Sequence, residues 1–292
     1  MQEWIEKADV LIEALPYIQQ FRGEVIVVKF GGSAMEDPAH VEGVLEDVTF
    51  MECVGMLPIV VHGGGKAISR GLQAAGLASA FVKGLRVTCA RTVEVVERVM
   101  KQELNPQIVA TLNRLGARAE GLHGDRLFKV NRKQAVDPET GAVLDWGFVG
   151  EPRDVAVDLI RDLLKRNVIP VITPLGMGDD GRVYNVNADV AAMAVAKALQ
   201  ARKLAFLSDV PGLLRKPDDP DSVIATLKVS EAGALMEEGV IGGGMLPKVA
   251  SCLEAIHAGV RKVHMIDGRM PHSLLLEIFT NKGVGTEIIK DE

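Results

Sequence analysis

EVIVVKFGGS, residues 24–33, runs a continuous β-branched stretch into a lysine and two glycines, and LPIVVHGGGK, residues 57–66, repeats the design. Apolar runs this short and without alternation suit strands covered on both faces, the habit of parallel sheets. The ends of such strands are favoured ligand sites. Glycines there let backbone approach an anion closely, and Lys29 adds a compact positive charge. A helix expected after the second glycine run would turn unpaired N–H groups and its positive dipole end the same way. Either run alone reads equally well as a tight turn. Neither is a Walker A loop or the dinucleotide fingerprint GxGxxG, so another nucleotide architecture is required.

Outward from these two units, similar apolar runs recur at 168–172, 204–207 and 263–266, with helical periodicity between them at 93–115, 155–165 and 188–199. Strand, helix, strand in succession implies parallel pairing and an α/β fold. Residues 127–149 break the rhythm, and DPETG at 137–141 supplies turn chemistry between two hairpin arms, which predicts an inserted lid or flap. LLRKPDDPD at 213–221 reads as a surface loop. Before the first strand, Trp4, Ala8, Leu11, Ile12, Leu15 and Ile18 form an apolar helical stripe that Pro16 is expected to bend or divide. That stripe faces either its own domain or another subunit.

At 292 residues, 48% hydrophobic and 25% charged, the chain can bury a core of ordinary size in two lobes. Its formal net charge of −6 lacks the broad positive field of a nucleic-acid binder, so a small anionic ligand needs a local basic site. No apolar run approaches the roughly 18 residues that span a bilayer, and the start carries acids in place of an apolar targeting segment. A cytoplasmic protein without membrane or nucleic-acid partners is expected. Cys53, Cys89 and Cys252 are odd in number and unclustered, which argues against a disulfide framework or a cysteine zinc site and predicts reduced, structural thiols.

Three further segments carry candidate chemistry. KGLRVT at 83–88 sets Arg86 where a guanidinium can grip a carboxylate bidentately, although a lone arginine is also an ordinary surface charge. YNVNADVAAMAVAKAL at 184–199 alternates Asn185 and Asn187 before a helix with Asp189 in its first turn. Asp189 alone reads as a helix-start charge, but two amides meeting an acid there suit the orientation of substrate and solvent. IGGGMLPK at 241–248 places Lys248 behind a glycine run, where it is also readable as a solvated helix-start lysine.

Taken together, KFGGS, HGGG, KGLRVT, NVNAD, AFLSDVPGLL and GGGMLPK follow the order found in the amino-acid kinase family, which the chain resembles from Val25 to Ile289. Within it the chain resembles the N-acetylglutamate kinases, through Arg86 in its RVT context and the paired asparagines. The resemblance implies an open αβα sandwich with a mainly parallel central sheet and an added N-terminal helix. Its implied division is an oligomerisation helix at 1–21, an acyl-amino-acid-binding and dimerisation lobe at 22–175, and an ATP-binding lobe with a C-terminal regulatory segment at 176–292.

By the same resemblance, Lys29 and Lys248 stabilise charge on a transferring phosphoryl group and Asp189 holds both lysines. Gly64, Gly65, Arg86, Asn185 and Asn187 bind the acid, and Gly31, Gly32, Ser208, Asp209 and Gly212 serve the nucleotide, ATP delivered with Mg²⁺ and without a dedicated protein metal cage. The implied reaction phosphorylates the side-chain carboxylate of N-acetyl-L-glutamate in arginine biosynthesis. It needs no catalytic base, since a glutamate-type carboxyl with a reference pKa of about 4.3 is already ionised. The first helix and the tail HSLLLEIFTNKGVGTEI at 272–288 resemble the arginine-inhibited type, a homohexamer built as a trimer of dimers, with Tyr17, Lys203, Glu277 and Gly285 as counterparts of its arginine site. A PII-type signalling protein is a partner that the sequence does not establish. Two alternatives stay open: a kinase for a protected aminoadipate, and a non-catalytic arginine-sensing protein of the same fold, against which Lys29, Asp189 and Lys248 speak.

Overall fold

The computed structural model describes residues 1–137, 141–216, 218–242, 245–280 and 283–291. Residues 138–140 of the expected turn, Pro217 of the expected surface loop, Gly243 and Gly244 of the glycine run, and Asn281 and Lys282 of the tail lie outside the described residues.

The strands, in chain order, begin with β1 (Val25–Phe30), β2 (Leu57–His62), β3 (Phe81–Val82), β4 (Leu85–Arg86) and β5 (Ala119–His123). They continue with β6 (Phe128–Val136), β7 (Val143–Val155), β8 (Ile169–Thr173), β9 (Leu175–Gly178) and β10 (Val183–Val186). The last are β11 (Lys203–Ser208), β12 (Thr226–Lys228), β13 (Lys262–Asp267) and β14 (Thr286–Ile289). The helices begin with α1 (Gln2–Phe21), α2 (Pro38–Cys53), α3 (Gly65–Ala74), α4 (Ala90–Arg98), α5 (Asn105–Arg114) and α6 (Gly124–Leu127). After them come α7 (Val157–Lys165), α8 (Ala188–Leu199), α9 (Ala232–Glu237), α10 (Met245–His257) and α11 (Ser273–Phe279).

Eight strands form one sheet in the order β12-β14-β13-β11-β1-β2-β8-β5, parallel except where β13 meets β14. Alternation along β1 explains the layers. Ile26, Val28 and Phe30 pack with Val44, Leu45 and Val48 of α2 and Ile108 and Leu112 of α5. Val27 turns to the other face, against α8 and α10 through Val195 and Val249. The αβα sandwich expected from the sequence follows, and Lys29, in phase with Val27, is aimed at the face where α8 begins. The sheet is continuous across the expected lobe boundary, because β1 pairs with β11 from Ile26 to Phe30.

Four expectations are revised. Helix α1 runs unbroken from Gln2 to Phe21 with Pro16 inside it. The periodic stretch at 93–115 is divided by a π-helical turn, Val99–Leu104, between α4 and α5. The two hairpin arms do pair, as β6 and β7, but they close with β9 and β10 into a small four-stranded barrel in place of a free flap. A Cβ on Gly176 would come within 2.2 Å of a Val130 methyl, so the barrel closes only with glycine there. Finally, Cys252 is buried but Cys53 and Cys89 are exposed, so those two thiols are free without being core residues.

Candidate functional site

The site begins with an N-cap. Asn187 Oδ1 accepts the N–H groups of Asp189 (2.8 Å) and Val190 (3.2 Å), starting α8 where the apolar run AAMAVA takes over. The cap fixes Asp189 in the first turn, and its Oδ1 lies 2.9 Å from Lys29 Nζ, with the lysine side chain only 13% exposed. Among the described residues Lys29 is the one ion-pair partner of Asp189. Lys248 lies close by in the second turn of α10 and lines a small cavity with Lys29, Asp189 and Ser208, but the expected pairing of Asp189 with both lysines is not formed.

Beside this pair opens a cavity of about 510 Å³ lined by Lys29, Gly32, Gly63, Gly64, Gly65, Arg86, Asn185, Asn187, Asp189 and Asp209. Strands β1 and β2 deliver their glycines side by side: a Cβ on Gly63 would lie 3.3 Å from the Gly31 Cα, and Gly63 N–H donates to Phe30 O at 2.7 Å. Gly32 takes φ +73, which favours glycine at the first position of the turn Gly32–Met35. Gly64 is the N-cap of α3, so the open N-terminal end of that helix faces the cavity. A Cβ on Gly64 would lie 2.5 Å from Leu104 Cδ1, which shows how closely the π-helical turn backs the loop.

Arg86 is buried on the far wall. Its Nη2 donates to Gly65 O and Ser69 Oγ, both at 2.9 Å, Nη1 contacts Ser79 Oγ, and the guanidinium lies 4.6 Å from the Phe81 ring centroid. Burial lowers its pKa from the ordinary arginine value. With Asn187 Oδ1 committed to the cap, its amide nitrogen is the group left for a ligand in the cavity.

The residues expected on the nucleotide side separate. Ser208, at the end of β11, lines the small cavity beside Lys248, whereas Asp209 lines the larger one. Gly31 lies against the Lys29 ammonium, where a Cβ would come within 3.0 Å of Nζ. Gly212 lines neither cavity. It sits at φ +140 with the site of a Cβ 2.7 Å from Thr286 Oγ1, which accepts from Leu213 N–H, and so locks the following loop to β14.

At the opposite end of the sheet a second cavity of about 200 Å³ gathers Tyr17, Phe21, Lys203, Lys262, Glu277, Gly283 and Glu287. Burial pushes the Glu277 carboxyl up, but His264 Nδ1 at 2.7 Å and the N–H groups of Val284 (2.7 Å) and Gly285 (3.0 Å) outweigh it and leave it below its ordinary value. Lys203 is lowered to about 8, chiefly by burial, with its ammonium 4.8 Å from the Phe21 ring centroid. The four residues expected around arginine are therefore neighbours, and Gly285 contributes through its N–H to Glu277. Lys262, Phe21 and Glu287 were not legible as members, since each is an ordinary surface or helix residue in the linear sequence. Ser69 and Phe81, which hold Arg86, and the buried pair His62 and Asn105 behind the glycine loop were also missed; of these only His62 lies within a motif.

Among the described residues no three His, Cys, Asp or Glu side chains are grouped to hold a metal, and no helix is long and apolar enough to cross a membrane. A nucleotide's phosphates fit the glycine turns, the open N-terminal end of α3 and the lysines that converge there.

The amino acid kinase family matches residues 24–267 of the chain. The acetylglutamate kinase of Heliobacterium modesticaldum is 49% identical over 99% of this chain and 100% of its own length. That of Syntrophomonas wolfei is 46% identical over 98% of both. Among solved structures, an N-acetylglutamate synthase from Neisseria gonorrhoeae, complexed with coenzyme A and N-acetyl-glutamate, superposes with a TM-score of 0.84 at 25% identity. The match covers 98% of this chain but 64% of the synthase. The same synthase with coenzyme A and L-arginine gives 0.80 at 26% identity, over 97% of this chain and 65% of that one. A Giardia carbamate kinase shares the fold, with a TM-score of 0.68 at 18% identity over 92% of this chain and 99% of its own.

Proposed function

This chain belongs to the amino acid kinase family, and from that premise we propose that it phosphorylates the side-chain carboxylate of N-acetyl-L-glutamate, in arginine biosynthesis. The observation that carries the reading is the Lys29–Asp189 pair, set where the two glycine turns, the open end of α3 and Arg86 face one cavity. ATP, with Mg²⁺ on its phosphates, supplies the phosphoryl group when bound. Arg86 and the Asn187 amide orient the acid, and Asp189 holds Lys29 toward the reacting centre. Lys29, Lys248 and the N–H groups of the glycine turns offset the repulsion between two anions, which is the main obstacle to this transfer. The acceptor is already ionised and requires no base.

The relatives' names support N-acetylglutamate over a protected aminoadipate. Trapping of acyl phosphate by hydroxylamine, with ATP and N-acetylglutamate, glutamate, aspartate or acetylated aminoadipate in turn, tests this directly. N-acetylglutamate is expected to give the signal; a signal from aminoadipate alone moves the assignment, and none from any acid favours a binding protein.

Arginine is the proposed inhibitor at the second cavity, where Glu277 suits a guanidinium. Support comes from the gathering there of Tyr17, Lys203 and Glu277. Repeating the trapping with arginine present should lower the signal. The proposed assembly is a hexamer joined through α1, supported by the exposure of Trp4, Val10, Leu11 and Ile12 on that helix.

A further inference from the structure

His62 ends β2 with no exposed surface, immediately before the glycine turn. Its surroundings fix both ring nitrogens. Asn105 Nδ2 donates to Val171 O at 2.9 Å and faces His62 Nε2 at 3.2 Å. Turning the amide over would set its oxygen against the Val171 carbonyl, so the NH₂ orientation is determined and Nε2 must be the acceptor. The ring proton therefore resides on Nδ1, which donates to Gly63 O at 2.9 Å. Burial lowers the His62 pKa to about 4, so the imidazole is neutral at ordinary pH and this tautomer persists.

Gly63 O belongs to the same planar unit as Gly64 N–H. In a trans peptide the carbonyl and the N–H point in opposite directions. A carbonyl held toward the buried imidazole thus turns the Gly64 N–H away from it, to the cavity that Gly64 lines. A donated hydrogen bond on the carbonyl also polarises the unit and strengthens the N–H as a donor. The support continues behind: the π-helical turn brings Leu104 and Met100 against Gly64 and sets Asn105 as the next residue. A Cβ on Gly121 would lie 2.2 Å from Asn105 Oδ1, so the amide is seated over a glycine as well.

We propose that His62 is a positioning residue for phosphoryl transfer, aiming the Gly64 N–H at the developing charge through their shared peptide plane, with Asn105 selecting the imidazole tautomer. This rests on the kinase reading above. Asparagine at 62 keeps a donor near the Nδ1 position, whereas glutamine places its amide near Nε2 and leaves Gly63 O without one. His62→Asn should keep kcat within about 3-fold of wild type, and His62→Gln should lower it roughly 10- to 100-fold with little change in KM for the acid, short of the 10²- to 10³-fold loss of an entire donor. On the wild-type chain, ¹⁵N NMR should find the neutral Nδ1–H tautomer down to about pH 5, without any variant having to fold. An active wild type whose His62→Asn and His62→Gln variants fall equally, or an Nε2–H signature, overturns the role of His62 alone. A wild type that traps no acyl phosphate sinks the kinase reading first, and the positioning role with it.

Discussion

Lys29 and Asp189 come together from residues 160 positions apart in sequence, and their 2.9 Å contact depends on two local devices, the phase of β1 and the Asn187 cap. An ammonium held in this way acts most strongly as transferred charge develops. Lys29→Ala should therefore lower kcat by on the order of 10²-fold or more, with KM for the acid moving far less, as measured by hydroxamate formation. Loss of KM alone would assign Lys29 to simple binding. Arg86 is expected to divide the other way. Its fork already spans Gly65 O, Ser69 and Ser79, and lysine offers one point charge in its place. Arg86→Lys should raise KM for the acid by about 10-fold and leave kcat nearly unchanged, the pattern of uniform binding. Both residues were legible because each stands in a short motif at a strand or helix end. The His62–Asn105 hydrogen bond was not, since nothing in the sequence between them, over a separation of 43 positions, says that these side chains meet.

At the scale of elements, β1, β2, β8, β11 and β13 of the central sheet declared themselves as apolar runs because both of their faces are covered, whereas β5, β12 and β14 toward its edges, partly exposed and mixed with polar residues, did not. The barrel strands β9 and β10 did not: glycines at 176 and 178 interrupt the apolar signal, and closure against Val130 is decided by contacts that no local pattern encodes. The π-helical turn was equally hidden, because one widened turn leaves an i, i+3, i+4 pattern nearly intact over a stretch as long as 93–115. Helix α1 was read correctly as amphipathic, and its partner is what the sequence left open. Tyr17 touches Phe279 edge-on at 6.3 Å and Phe21 is buried, whereas Val10, Leu11 and Ile12 are each about two-thirds exposed. An apolar stripe of this kind normally faces a partner. Removing residues 1–21 should abolish the largest assembly in light scattering and also arginine inhibition, while retaining acyl-phosphate formation. Inhibition that survives in the truncated chain would separate the effector cavity from α1.

Across the whole molecule the two cavities are the ends of shared strands. Lys203 begins β11 at the proposed effector cavity and Ser208 ends it beside Lys248, a span of roughly 17 Å at about 3.3 Å per residue. Should arginine at one end lower a ligand's affinity at the other, that ligand must lower arginine's affinity by the same factor. The same lysine carries a prediction about the fold itself. Its pKa falls from 10.5 to about 8 on folding, chiefly through burial, so the unfolded chain holds this proton more tightly. Below pH 8 the folded state bears a buried ammonium at a cost of up to about 3 kcal/mol, which the Phe21 ring face partly offsets. As pH rises from about 8 to 10.5 the native chain releases the proton first, and stability rises by that amount. Lys203→Met removes this titrating group while keeping an apolar chain of similar length in the site. The variant should be more stable than wild type at pH 7, by denaturant unfolding, and the difference should shrink toward pH 10. A gap of constant size across this range would show that Lys203 folds with its proton held as firmly as in water, and that the Phe21 face and the Glu277 and Glu287 carboxylates fully compensate its burial.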